Sequence, residues 1–213
     1  MRNSMRRTLN ILVYSVAFLS GGVLLGLEIV ASRILAPYFG NSVYVWGSLI
    51  SVFLLALSIG YWIGGVQADR RPSLVVLAKI LASAAVCILI LPLVYLPVGR
   101  YIAELGLEFR FSVLLISTLF FLVPSVLMGM VSPFVIKLSA TGMAEIGRTA
   151  GLVYAVSTLG SISGAIAVSF FFIQWLGTRS IVVLLGLVLL LLALLCVACE
   201  RRYSETKAFH ASM

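Results

Sequence analysis

One carboxylate interrupts the first long apolar run of this chain, and no other residue in the sequence is a stronger candidate for chemistry. Glu28 falls within the run from about residue 9 to 36. A charge in hydrocarbon is costly unless it is paired, solvated or matched by a ligand, so such a residue is a functional candidate by default. At 1.5 Å per helical residue it lies about 28 Å beyond Leu9, which predicts a position in the outer third of a bilayer. Two chemistries fit. Either Glu28 takes a cationic substrate or a proton, or it forms a structural pair with Arg33, one to two turns further on, or with Arg179.

A second polar concentration lies in the run from about residue 148 to 174, where Ser157, Thr158, Ser161 and Ser163 accompany Gly160 and Gly164. Such residues either line a water-filled path or pack closely, with their hydroxyls bonded to their own backbone. Ser157 and Ser161 therefore join Glu28 and Arg33 as candidate substrate-binding residues.

Other chemistries find little support. The single histidine, His210, lies near the C-terminus, and neither a metal-ligand set nor a nucleophile constellation occurs in the apolar runs. Cys196 and Cys199 form a C-x-x-C, but within an unbroken Leu-rich stretch lacking a second pair, so both read as small hydrophobes. No catalytic residue, metal or cofactor is expected. The net charge of +8 comes without a basic, aromatic-interleaved stripe, which argues against nucleic acid.

The elements that must carry these residues follow from composition. With 62 % hydrophobic and 10 % charged residues and a mean hydropathy of +1.18, the chain has far too much apolar surface for a water-soluble fold. About 20 apolar residues cross a bilayer as a helix. Six segments qualify, roughly residues 9–36, 43–66, 73–97, 110–137, 148–174 and 179–199, which predicts one all-α, polytopic membrane domain over residues 1–213. If they alternate in direction, only Arg33, Arg100, Arg110 and Arg179 of the fifteen Lys and Arg face outward. Lys79 belongs with the inner set because its stem can snorkel, and this excess places both termini in the cytoplasm of a bacterial-type inner membrane. Arg6 and Arg7 also resemble the start of a signal peptide, but the apolar run that follows is too long for a cleaved one.

Within that frame, residues 98–109 alternate Arg100, Glu104 and Glu108 with Tyr101, Ile102, Leu105 and Phe109, predicting a short interfacial helix on the outer surface. Gly22 and Gly26, Gly60 and Gly64, and Gly160 and Gly164 form G-x-x-x-G pairs in the first, second and fifth spans. Small residues let helices approach in lipid, so these three spans are expected to meet one another, with the Leu-rich sixth facing lipid. Pro124 and Pro133 are expected to kink the fourth.

Gly26-Leu27-Glu28, the run from Ser32 to Ser42, Val45-Trp46-Gly47, Gly60-Tyr61, Gly64-Gly65 and Asp69-Arg70, followed by the run from Gly151 to Ser161, Gly164 and Leu176-Gly177, are similar to the membrane region of spermidine-synthase-like membrane proteins. The resemblance covers most of residues 20–180. That family joins a multi-helix membrane region to a cytoplasmic domain resembling polyamine aminopropyltransferases. Only 14 residues follow Cys199, without the strand, glycine loop and acidic pair such a domain needs. The resemblance therefore implies polyamine as substrate class and a non-catalytic subunit, with a separate soluble synthase-like protein as a partner that would restore catalysis.

Gly65, Asp69, Arg70 and Arg71 also resemble the loop between the second and third helices of major facilitator transporters, a conformational or docking loop, although Pro72 and Ser73 depart from its usual continuation. The alternative makes Asp69 a cap for the third helix and the arginines topology signals. A six-transmembrane-helix bundle resembles half of such a transporter, which implies a homo-oligomer or a membrane-complex partner. Two functions are expected: handling or transport of a small cationic solute, or anchoring of a cytoplasmic partner through Arg70, Arg71, Arg148 and residues 200–213.

Overall fold

The computed structural model describes residues 2–140, 142 and 145–211, with side chains described over 7–140, 142 and 145–201. Arg2, Arg6, Arg202, Lys207 and His210, and most of the proposed docking tail, thus have side chains outside the described residues. The described chain is all-α. Its helices are α1 (Arg2–Phe39), α2 (Val43–Arg70), α3 (Leu74–Glu104), α4 (Phe109–Gly129), α5 (Val131–Ser139), α6 (Ile146–Ile166), α7 (Ile173–Trp175) and α8 (Thr178–Ala211), with a π-helical turn at Ala167–Phe172 between α6 and α7. They form six stretches long and apolar enough to cross a membrane: Arg7–Phe39, Val43–Arg70, Leu74–Glu104, Phe109–Ser139, Ile146–Trp175 and Thr178–Arg201. Six crossings leave both termini at one end of the bundle, called here the terminal end.

Local chemistry sets most of the boundaries. Gly40 closes α1 with φ +65, a conformation open to glycine at little cost, and donates its N–H to the Ala36 carbonyl at 2.9 Å. Ser42 then caps α2 by accepting the Val45 N–H at 3.4 Å, and Ser73 caps α3 by accepting that of Val75 at 3.1 Å. Asp69 lies inside the last turn of α2, so the cap expected of it belongs to Ser73. The fourth span breaks between Gly129 and Val131. Pro133 lacks an N–H for the carbonyl four residues earlier, whereas α4 runs through Pro124 without ending.

The separate interfacial helix expected at 98–109 is not present. α3 continues through Pro92 and Pro97 to Glu104, and Gly106 at φ +67 makes the turn before α4. The continuation is held by packing: Ile102 is buried, Tyr38 donates its hydroxyl to the Leu96 carbonyl at 3.2 Å, and its ring covers Gly99, where a Cβ would lie 2.7 Å from it. At the same end Phe109 meets Phe39 and Tyr44 edge-on, and the Arg110 guanidinium sits 5.1 Å from the centre of the Tyr44 ring.

The spans pair differently from the expectation. α1 packs on α6, α2 on α4, and α3 on α8, while α8 also touches α1. The G-x-x-x-G of α1 does meet that of α6, since a Cβ on Gly22 would lie 3.0 Å from the Gly160 carbonyl oxygen. The pair in α2 instead meets the fourth span: a Cβ on Gly60 would lie 2.9 Å from Gly129 Cα, and one on Gly64 2.6 Å from Met130 Cα. The stacked rings of Phe53 and Phe121, 5.7 Å apart, belong to the same α2–α4 interface. The sixth span is not the lipid-facing one. In its most apolar stretch 44 % of residues are buried, against 11 % for the fifth span. Gly186 seats α8 on Leu89 of α3, and Leu185, Leu189 and Cys196 are buried. Small residues mark where backbones approach closely, yet a Leu-rich helix gains as much contact by interdigitation.

Candidate functional site

Glu28 occupies a half-buried position on α1, beside the fully buried Leu27, Val30 and Ala31. Val23 lies midway between Arg7 and Phe39, so five residues of rise put Glu28 about 7–8 Å from the middle of that stretch, within the outer third of a core about 30 Å thick, as the apolar run alone leads one to expect. Among the described residues it makes no ion pair or hydrogen bond. The structural pairing with Arg33 or Arg179 is therefore not formed. Five residues rotate a helix by about 140°, which turns Arg33 away from Glu28, and Arg33 is exposed. The next hydroxyl on the helix, Ser32, is committed to the Ile29 carbonyl at 2.8 Å.

Ser157 and Ser161 lie against α1, but not beside Glu28. They flank Gly21, where a Cβ would sit 3.0 Å from each Oγ. Gly21 precedes Glu28 by seven residues, about 10 Å of rise. These two serines therefore form the close-packed α1–α6 contact, while Thr158 and Ser163 are exposed and Ser163 donates to the Leu159 carbonyl at 2.8 Å. Just beyond them, the π-helical turn brings Val168 over Gly26. No periodicity in the sequence signals that turn, and π turns recur at functional sites.

At the terminal end, Asp69 accepts a hydrogen bond from Lys137 Nζ at 2.6 Å, joining α2 to α5. The two are 68 residues apart, and sequence reading assigned Lys137 only to topology. Gly65 has open space around it, and Arg70 and Arg71 are exposed beside the pair. Because both partners are substantially exposed, a double-mutant cycle with Asp69→Asn and Lys137→Gln is expected to return a coupling within about 1 kcal/mol in thermal unfolding. A larger coupling would assign the pair a dominant role in holding α2 and α5 together.

Among the described residues no cluster of three or more His, Cys, Asp or Glu could hold a metal ion. No protein-family model matches the chain, and no curated protein or solved structure matches it significantly. Fold and composition define the class: an all-α, multi-pass membrane protein with six spans and lipid-facing apolar surface.

Proposed function

We propose that this chain is a non-catalytic integral membrane subunit, akin to the membrane region of spermidine-synthase-like proteins, that handles or transports a small cationic solute of the polyamine class, with Glu28 as its selectivity charge. The observation that carries this reading is the unpaired carboxylate itself. A half-buried Glu with no cationic partner among the described residues is stabilised when a proton, water or a cationic ligand reaches it. Ser157 and Ser161 belong to the close α1–α6 contact, Arg33 is exposed, and none of the three completes a first ring around Glu28. As half of a transporter-like bundle the subunit would act as a homo-oligomer, in a bacterial-type inner membrane with both termini cytoplasmic, the orientation favoured by its Lys and Arg distribution.

The test is uptake of labelled spermidine into proteoliposomes. Saturable uptake is expected, and Glu28→Gln should lower it about tenfold or more while the protein stays folded, in line with the ~1.5–3 kcal/mol of a hydrogen bond to a charged group. Undiminished uptake in the variant would remove Glu28 from the mechanism. A second reading rests on the exposed Arg70, Arg71 and Arg148 at the terminal end: an anchor for a cytoplasmic synthase-like partner. Gentle purification would then recover a stoichiometric partner, and repeated recovery of the chain alone would count against it.

A further inference from the structure

A shallow, wide-open groove of about 810 Å³ runs along one face of the first half of α1, lined among the described residues by that helix alone, from Arg7 to Leu19. Its chemistry changes with depth. Arg7 and Asn10 lie at the terminal end, Tyr14 and Ser15 follow, and Ile11, Phe18 and Leu19 supply an apolar wall. Ile11 is 60 % exposed and Leu19 40 % exposed, so the wall is open to whatever surrounds the bundle. Twelve residues of rise make the groove about 18 Å long, close to the ~15 Å hydrocarbon thickness of one leaflet plus the start of the headgroup layer. Among the described residues no carboxylate pairs with Arg7.

We propose that this groove binds one anionic phospholipid, its phosphate held by Arg7 and Asn10 and one acyl chain laid along Ile11, Phe18 and Leu19. The occupant follows from complementarity along the axis. A guanidinium at headgroup level attracts a phosphate through charge-assisted hydrogen bonds, and an exposed apolar wall below it fits a chain and not a hydrated ion. The site is independent of Glu28 and of the solute proposed for it.

Native mass spectrometry of the full chain, after equilibration with phosphatidylglycerol or phosphatidylcholine of identical acyl chains, tests the assignment. One phosphatidylglycerol should be retained with at least about fivefold preference, roughly 1 kcal/mol. Arg7→Gln should abolish that preference, Leu19→Trp should reduce retention with the charge intact, and Arg71→Gln should leave both unchanged. Equal retention of the two lipids by the unaltered chain would overturn the proposal without reference to any variant. So would an equal loss in Arg71→Gln, which would indicate diffuse surface charge, or displacement by inorganic phosphate alone, which would indicate a simple anion site. Disulfide-linked dimers through Ser15→Cys in native membranes would assign the groove to a second copy of the chain and likewise overturn it.

Discussion

Gly160→Leu is expected to prevent the fifth span from docking on the first, leaving little folded protein in detergent extracts. A Cβ at this position would collide with the Phe18 carbonyl oxygen, and 2.6 Å from it lies the Phe18 carbonyl carbon. Overpacking against movable side chains costs about 1–3 kcal/mol. Here the obstruction is backbone, which cannot rotate away, so the cost should lie at or above the top of that range. Gly22 and Gly164 meet within the same contact, so the helices cannot pivot around the intruding side chain. Gly151, on the same helix with open space around it, supplies the control. Thermal unfolding followed by size-exclusion profile should show Gly151→Leu near the unaltered chain and Gly160→Leu largely aggregated. Equal behaviour would mean that α1 and α6 do not pack through this contact.

Glu28→Leu is expected to raise stability, a sign opposite to that of most substitutions within a folded core. A charged residue at the centre of a membrane helix costs about 2.5–3.5 kcal/mol on insertion scales. Glu28 is half-buried and off centre, so its removal should recover a smaller part, about 1–2 kcal/mol, visible as a rise of the unfolding midpoint in lipid nanodiscs. A carboxylate in a structural ion pair would give the reverse, since breaking a buried pair leaves an uncompensated charge. The sign of the change therefore separates a site kept for function from one kept for architecture, the usual tension between activity and stability.

The six crossings were legible because hydropathy is a property of contiguous residues, and each expected span lies within or close to the helix that forms. The same locality explains what was missed. Pro97 and the charges after it resemble the end of a span, but the burial of Ile102 and the fit of Tyr38 over Gly99 carry α3 onward, and Tyr38 is remote in sequence. G-x-x-x-G motifs identify surfaces able to approach closely without identifying their partners, so the sequence does not signal the pairing of Gly60 with Gly129, which have the whole of α3 between them in the chain. Lys137 illustrates the same point for charge: its apolar flanks fixed its depth, while its partner Asp69 is set by tertiary packing. For Glu28 the sequence supplied both the residue and its alternatives, and geometry removed one of them. The helical phase that turns Arg33 away follows from spacing alone and was available beforehand.

The central claim is that the lone carboxylate of α1 serves a cationic solute, and spermidine uptake by proteoliposomes containing the unaltered chain or Glu28→Gln, at matched protein incorporation, tests it most directly. The account predicts saturable uptake that falls about tenfold or more on removal of the charge, with both proteins equally folded. Uptake of equal rate and saturation in the two would contradict it.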